Sequence, residues 1–213
     1  MQKAILLALV LLGVVLSSPP VPKTPEGYLY KPAPDAKVRL DIYEDLFCGD
    51  CRDFDPPFKQ FLNSEFQGKP YYNFIEVYVH NYILPIHVNT FKAVQINPWL
   101  WDKYHNGTLN AAFNEWCFQH QDEFFGEKGD ELNQNQVVDK ICSMTDGLFG
   151  YTEAECQQMY KDETYRLTIH YEQKFGAYYR VYTTPGVFLN GIQLDDIPAT
   201  SDEWKKFIKP YLE

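Results

Sequence analysis

Polar and apolar residues alternate along Val38-Arg39-Leu40-Asp41-Ile42-Tyr43, and the stretch is rich in β-formers, so the pattern predicts a strand. The same reasoning predicts a second strand over Tyr71 to Val79. Between them, within Cys48 to Phe66, Phe54, Phe58, Phe61 and Leu62 recur at helical spacing. A β-α-β order calls for a right-handed crossover and parallel strands. From Leu84 to about Phe175 the pattern turns helical. Phe91, Val94, Gln95 and Leu100 fall in one segment, Ala111 to Phe125 in another, and Val137, Val138, Ile141 and Met144 in a third. Thr152-Glu153-Ala154-Glu155 reads as a capping box opening a long helix toward Phe175, with Gly176 suited to its C-terminal end. Val187-Phe188-Leu189 and Ile192-Gln193-Leu194 flank Asn190-Gly191, a two-residue hairpin turn. A second capping box, Thr200-Ser201-Asp202-Glu203, starts a last helix with Trp204, Phe207, Ile208, Tyr211 and Leu212 on one face.

The layout is an α/β chain with a helical insertion: β-α-β over residues 36–83, the insertion over 84–176, and a hairpin and helix over 177–213. Pro19, Pro20, Pro22, Pro25, Pro32 and Pro34 make residues 18–35 an extended lead-in, so folding is expected to begin near Ala36. With 45% hydrophobic residues, 213 residues bury a core without metal or disulfide staples. A net charge of −10 with no basic block argues against nucleic acid and anionic membrane surfaces as partners. Residues 1–17 show Lys3, an apolar run from Ala4 to Leu16 and small residues at the end, the pattern of a secretory signal peptide. That run is shorter than the roughly 20 residues of a membrane span. Cleavage after Ser17 is expected, so the chain would fold in the ER lumen, an endolysosomal lumen or outside the cell, where disulfides persist.

This compartment bears on the cysteines. Cys48-Gly49-Asp50-Cys51 sits where a strand ends and a helix begins. Unpaired N–H groups and the partial positive charge of a helix N-terminus stabilise a thiolate. Cys48 is therefore expected to be an exposed nucleophile, and Cys51, one turn later, a buried thiol able to resolve a mixed disulfide. A zinc site would need a second ligand pair, whereas Cys117, Cys142 and Cys156 are singletons and the histidines fall at no ligand spacing. A purely structural disulfide remains open, though it would not require this setting. No glycine-rich phosphate or dinucleotide motif is present, so no cofactor is expected beyond the cysteine pair itself. Pro56 follows Cys48 by eight residues, and Thr183-Thr184-Pro185 immediately precedes the strand at Val187.

Phe47-Cys48-Gly49-Asp50-Cys51-Arg52 with Pro56 resembles the active-site helix of the thioredoxin superfamily. The helical insertion between the second strand and Thr184-Pro185 resembles its DsbA-like branch, over about residues 36 to 212. Tyr43 to Arg52 also shares features with the γ-interferon-inducible lysosomal thiol reductases, but their additional cysteine-rich motif is not found after the first helix. The DsbA-like resemblance implies a thioredoxin-like fold with an inserted all-helical subdomain. It implies a thiol–disulfide oxidoreductase with Cys48 and Cys51 catalytic, a cis Thr184-Pro185 bond docking cysteine-containing protein substrates, and a redox partner that regenerates the pair. The other reading is a redox-inactive module that holds polypeptide in the same groove. Where strong oxidases of the branch carry Pro-His between the cysteines, this chain has Gly49-Asp50. A carboxylate there is expected to raise the Cys48 pKa, making the pair less oxidising than in those enzymes. Asp41 is the candidate for the superfamily's buried proton acceptor, with a solvent-facing strand residue as the other reading; Asp55 is expected either to add to the effect of Asp50 or only to face water.

Cys142 and Cys156 lie at equal distances from a turn near Phe149, so antiparallel helices would bring them together and leave Cys117 buried or free; three unpaired thiols is the other reading. His87, at the start of the insertion, could approach the cysteine pair or serve as a capping or surface residue. Asn106-Gly107-Thr108 is a glycosylation sequon. Tyr160, Tyr165, Tyr171, Tyr178, Tyr179 and Tyr182 read as a packing face and a rim for unfolded polypeptide.

Overall fold

The computed structural model describes residues 21–22 and 26–213, so the expected signal peptide at residues 1–17 lies outside the described residues. In chain order come β1 (Tyr28–Leu29), β2 (Val38–Glu44), α1 (Gly49–Asn63), a small hairpin of β3 (Glu65–Phe66) and β4 (Lys69–Pro70), and β5 (Ile75–Asn81). The insertion holds α2 (Thr90–Ala93), α3 (Ile96–Tyr104), α4 (Gly107–Gln119), α5 (Gln134–Met144), α6 (Glu153–Met159) and α7 (Glu163–Tyr178). The chain closes with β6 (Gly186–Leu189), β7 (Ile192–Gln193) and α8 (Ser201–Leu212). The main sheet has the order β1-β5-β2-β6-β7. The β-α-β expectation is met by parallel pairing of β2 with β5, from Val38 opposite Ile75 to Glu44 opposite Asn81.

Local chemistry explains where the elements differ from the pattern. The second strand starts at Ile75, because Pro70 leads into a 3₁₀ turn at Tyr71–Asn73 closed by the Phe74 N–H on the Tyr71 carbonyl at 2.9 Å. Tyr71 is apolar there to pack on Phe61 and Phe66, not to alternate in a ladder. Folding also begins before Ala36. Tyr28 and Leu29 add an antiparallel edge strand to β5, Tyr28 and Tyr30 are buried, and Pro32 and Pro34 follow the paired residues without entering them.

The long helix expected from Thr152 is two helices, since Asp162 takes extended geometry and its carboxylate accepts from the Thr164 N–H at 2.9 Å, capping α7 afresh. Gly176 does not end that helix. It lies inside α7 where Tyr82 crosses, and a Cβ there would stand 2.4 Å from the Tyr82 ring. At Asn190-Gly191 the φ values of 50° and 82° give the turn the sequence called for.

Two cores result. Against one sheet face, Trp204 of α8 meets Phe54, Phe58 and Phe61 of α1 at ring separations of 6.3, 5.1 and 5.5 Å. The insertion packs around Phe113, Phe124, Ile141 and Ile169, with Cys142 and Cys156 joined in a disulfide and Cys117 buried as a free thiol. Leu46, Phe47, Cys48 and Cys51 belong to this second core although they lie at the junction of β2 and α1. The thiol pair therefore sits at the seam between sheet and insertion.

Candidate functional site

The turn after β2 fixes the first thiol. Fully buried Asp45 accepts through one carboxylate oxygen from the Phe47 N–H at 2.8 Å and the Thr90 hydroxyl at 2.9 Å, and through the other from the Leu84 N–H at 2.8 Å. Its carbonyl accepts from the Cys48 N–H at 3.1 Å. Asp45 thus ties the thiol's turn to the start of the insertion. Cys48 is the N-cap of α1, with extended φ and ψ of −82° and 126° and no side-chain capping bond, so the N–H groups of the first turn are left to the sulfur. Gln121 donates to the Cys48 carbonyl at 2.8 Å. The Thr184-Pro185 bond is cis, and the Thr184 carbonyl accepts from Cys48 Sγ at 3.4 Å.

Cys48 is not the open nucleophile the motif suggested: it is 5% exposed, against 0% for Cys51, because Phe47, Thr184 and the insertion close over it. The two thiols are nevertheless driven apart in acidity. The Cys51 side chain, Thr184 and the N–H groups of Cys51 and Asp50 bring the Cys48 thiol down to about 6 against the cost of burial. Burial pushes Cys51 well up, and the Cys48 charge and Glu44 add to that. The expected upward pull of Asp50 on Cys48 does not govern. Its side chain is exposed, and its main-chain N–H helps to stabilise the thiolate.

The carboxylates divide by strand face. Asp41 lies on the face away from α1, where Arg39 reaches it at 2.9 Å through Nε and His80 Nε2 stands 2.8 Å away. Burial opposes its ionisation, but His80 and Arg39 outweigh that and hold the carboxyl below its usual value. The carboxylate whose charge reaches Cys51 is Glu44, which sequence reasoning missed. Period-two alternation from Leu40 and Ile42 carries the signal, since it puts Glu44 on the α1 face. Glu44 accepts from Asn114 Nδ2 at 3.2 Å, and its pKa is raised to about 8 by burial, then by the charges of Asp55 and Cys48. Asp55 does not face water. It is buried against Lys59 at 2.7 Å, and its pKa is raised by burial. His87 is buried too, with Nδ1 3.0 Å from Asp45 Oδ2.

Asn106 is exposed and caps α4, accepting from the Thr108 N–H at 3.1 Å. Of these tyrosines, Tyr171, Tyr178, Tyr179 and Tyr182 are exposed, while Tyr160 donates its hydroxyl to the Lys92 carbonyl at 2.8 Å. Among the described residues, no group of His, Cys, Asp and Glu is placed to hold a metal ion, and no helix is long and apolar enough to cross a membrane.

A sheet of this order with helices inserted between β5 and β6 is the DsbA-like form of the thioredoxin fold, and solved structures share it. A protein-disulfide isomerase from Novosphingobium aromaticivorans is 14% identical with a TM-score of 0.67, covering 87% of this chain and 97% of that one. BdbD from Bacillus subtilis, in its oxidised form, is 15% identical with a TM-score of 0.64, covering 88% and 99%. The thiol-disulfide exchange protein α-DsbA2 from Wolbachia pipientis is 17% identical with a TM-score of 0.60, covering 86% of each chain. At these identities the likeness is one of fold. A family model described as Thioredoxin matches residues 30–210, and the chain belongs to that family. No curated protein matches the sequence.

Proposed function

We propose that this chain is a thiol–disulfide oxidoreductase that exchanges disulfides with cysteine-containing protein substrates and is regenerated by a separate redox partner. The observation that carries the reading is the opposed acidity of two neighbouring thiols at one helix N-terminus, Cys48 brought down to about 6 and Cys51 pushed well up. Cys48 is the attacking thiolate and Cys51 the resolving thiol. Thr184 and Pro185 line the substrate groove, supported by the contact of the Thr184 carbonyl with Cys48. Exposed Ile86, Val88 and Phe125 beside His87, with Tyr182 near Thr184, supply an apolar rim suited to unfolded polypeptide.

In the reducing direction the Cys48 thiolate attacks a substrate disulfide, forming a mixed disulfide and releasing one substrate thiolate. Cys51 then gives up its proton and attacks Cys48 Sγ, releasing the second thiolate; the substrate gains the two electrons that the cysteine pair loses. Glu44 takes the Cys51 proton. Formation of the mixed disulfide removes the Cys48 charge, which adds to the larger effects of burial and Asp55 in raising Glu44, and so eases ionisation of the carboxyl at the step that needs an acceptor. In the oxidising direction the same carboxyl donates to Cys51 as it leaves. The Gly49-Asp50 dipeptide between the cysteines, together with a Cys48 pKa between the roughly 7 of thioredoxin and roughly 3.5 of DsbA, supports a less oxidising pair than the strong oxidases have. The apolar segment before Ser17 and the Cys142–Cys156 disulfide support a secretory setting, where Asn106 would be open to glycosylation.

A Cys51→Ala variant is expected to accumulate substrate-linked mixed disulfides at Cys48 when mixed with scrambled, disulfide-containing protein substrates. Absence of adducts would favour the redox-inactive binding module.

A further inference from the structure

Where the sheet meets the insertion, the buried side chains of Glu44, Asn81, Asn97, Asn110, Asn114 and Glu172 form one continuous hydrogen-bonded network, of which the exchange scheme above uses only Glu44. Glu44 and Asn81 are register partners at the ends of β2 and β5. Asn97 lies on α3, Asn110 and Asn114 one turn apart on α4, and Glu172 on α7. The direction of every bond is set at one point. A main-chain carbonyl can only accept, so Asn110 must turn its amide nitrogen to the Asn97 carbonyl, at 2.7 Å, and that nitrogen also meets Asn97 Oδ1 at 3.3 Å. Asn97 is left with its NH2 to offer outward, and it donates to Asn81 Oδ1 at 2.7 Å and to Asn114 Oδ1 at 2.9 Å. Both of those amides must therefore present nitrogen at their far ends. Asn81 Nδ2 donates to Glu172 Oε2 at 2.7 Å, and Asn114 Nδ2 donates to Glu44 Oε2 at 3.2 Å and to the Tyr28 hydroxyl at 3.0 Å. The arrangement leaves Asn110 Oδ1 without a partner among the described residues, a cost that goes with aiming every donor outward.

Resting on the oxidoreductase reading, in which Glu44 takes the Cys51 proton, we propose that Asn114 is a positioning residue for Glu44, with Asn97 the hub that keeps its donor nitrogen turned to the carboxylate. The helical insertion thereby sets how readily the acceptor ionises. Apolar side chains at these positions would cost less to bury, and they would leave the Glu44 carboxylate without this donor. A neutral amide favours the carboxylate without the stronger hold of a cation, so the group can both take and release a proton. Burial raises Glu44 to about 8, with the Asp55 charge adding to it and the Lys59 charge and the Asn114 bond opposing it. With Oε2 held by Asn114, Oε1 is the oxygen left to carry the proton. The titratable groups that face Glu44 are Asp55 and Lys59 of α1, the two thiols, and Tyr28 and Tyr30 at the start of the sheet. Glu172 is faced by Glu26 and Tyr28, with Tyr78 and Asp102 across a cavity of about 400 Å³.

The test follows the two buried glutamates by carboxyl ¹³C NMR, each signal assigned by its loss in Glu44→Gln or Glu172→Gln. In Asn114→Ala the Glu44 midpoint is expected to rise by about one unit, the share of one lost donor. In Asn97→Ala, which removes no bond to either carboxyl, both midpoints are expected to rise, each by about half a unit. The unmodified protein supplies a reading that no substitution can confuse: the Asn97 side-chain amide protons are expected to shift at both carboxyl midpoints. In parallel, the pH profile for resolution of a Cys48 mixed disulfide in Asn114→Ala is expected to move with Glu44, about one unit to higher pH. An unchanged Glu44 midpoint in a folded Asn114→Ala protein, or Asn97 amide protons that ignore both transitions, would overturn the proposal. A resolution profile that stays in place while the Glu44 midpoint moves would overturn Glu44 as the acceptor, and the positioning role with it. Failure of Cys48 and Cys51 to form a reversible disulfide would instead overturn the functional reading, and the titrations would still decide whether Asn97 and Asn114 set Glu44.

Discussion

The two faces of β2 carry one carboxylate each, three residues apart, and send them to opposite ends of the acidity scale. Asp41, facing away from α1, has Arg39 and His80 within hydrogen-bonding distance and stays ionised. Glu44, facing α1, has an asparagine amide and a second buried carboxylate for company, and its proton is held to about pH 8. The faces also differ in packing. Trp204 and the α1 phenylalanines fill one, whereas the other borders a cavity of about 410 Å³ lined in part by Arg39, Asp41, Tyr43, His80 and Phe188. A proton carrier for a buried thiol needs a carboxyl near neutral pKa in a dry setting, and only the α1 face supplies that combination.

The largest effect should come from breaking the packed face. Trp204→Ala removes the centre of the aromatic cluster and is expected to cost about 3–5 kcal/mol in urea unfolding. Phe188→Ala, beside the cavity on the other face, is expected to cost less than about 3 kcal/mol. Similar losses would mean that the two faces are equally well packed. Next comes the proton step. Glu44→Gln is expected to slow resolution of a Cys48 mixed disulfide by about 10²-fold at pH 7, and Asp41→Asn to leave that rate within about twofold. Equal effects in rapid-quench kinetics would erase the distinction between the faces.

The same carboxyls sharpen the comparison through stability. Between the ordinary Glu value of 4.5 and about 8, the folded chain holds a proton on Glu44 that the unfolded chain has lost. Stability therefore falls as pH rises through that window, and the loss is complete above it. Glu44→Gln should remove this slope, gaining up to a few kcal/mol on the wild type between pH 4 and pH 9, as read by melting temperature. For Asp41 the sign is reversed. Its folded pKa is lowered, so its contribution is present above the ordinary Asp value and disappears as pH falls through the folded one. Asp41→Asn is expected to cost about 1 kcal/mol at pH 7 and nothing at the acid end, the smallest of these effects.

What could be read from the chain follows how local each signal is. The β2–α1–β5 unit, the Asn190-Gly191 turn and the cap at Thr200 are written in residues within a few positions of one another, and the structure carries all three. The thiol pair at a strand-to-helix junction is equally local. Glu44 was legible but passed over, because the family resemblance pointed to Asp41 while the alternation with Leu40 and Ile42 places Glu44 against α1. Asp55 belongs to the same stripe, four residues after Cys51 on α1. The hold of Asp45 on His87 spans 42 positions and has no periodic signature, so only the fold reveals it. The break at Asp162 was hidden for another reason: apolar spacing runs on across a cap that a single carboxylate creates.

The account stands or falls on Cys48 and Cys51 working as one reversible couple with an activated outer thiol. Equilibration with glutathione buffers, read by mass after alkylation, measures it directly. A single two-electron transition confined to these two cysteines is expected, at a potential between about −270 mV for thioredoxin and about −120 mV for DsbA. Two thiols that stay unbonded across the whole buffer range, or a transition outside that interval, would contradict it.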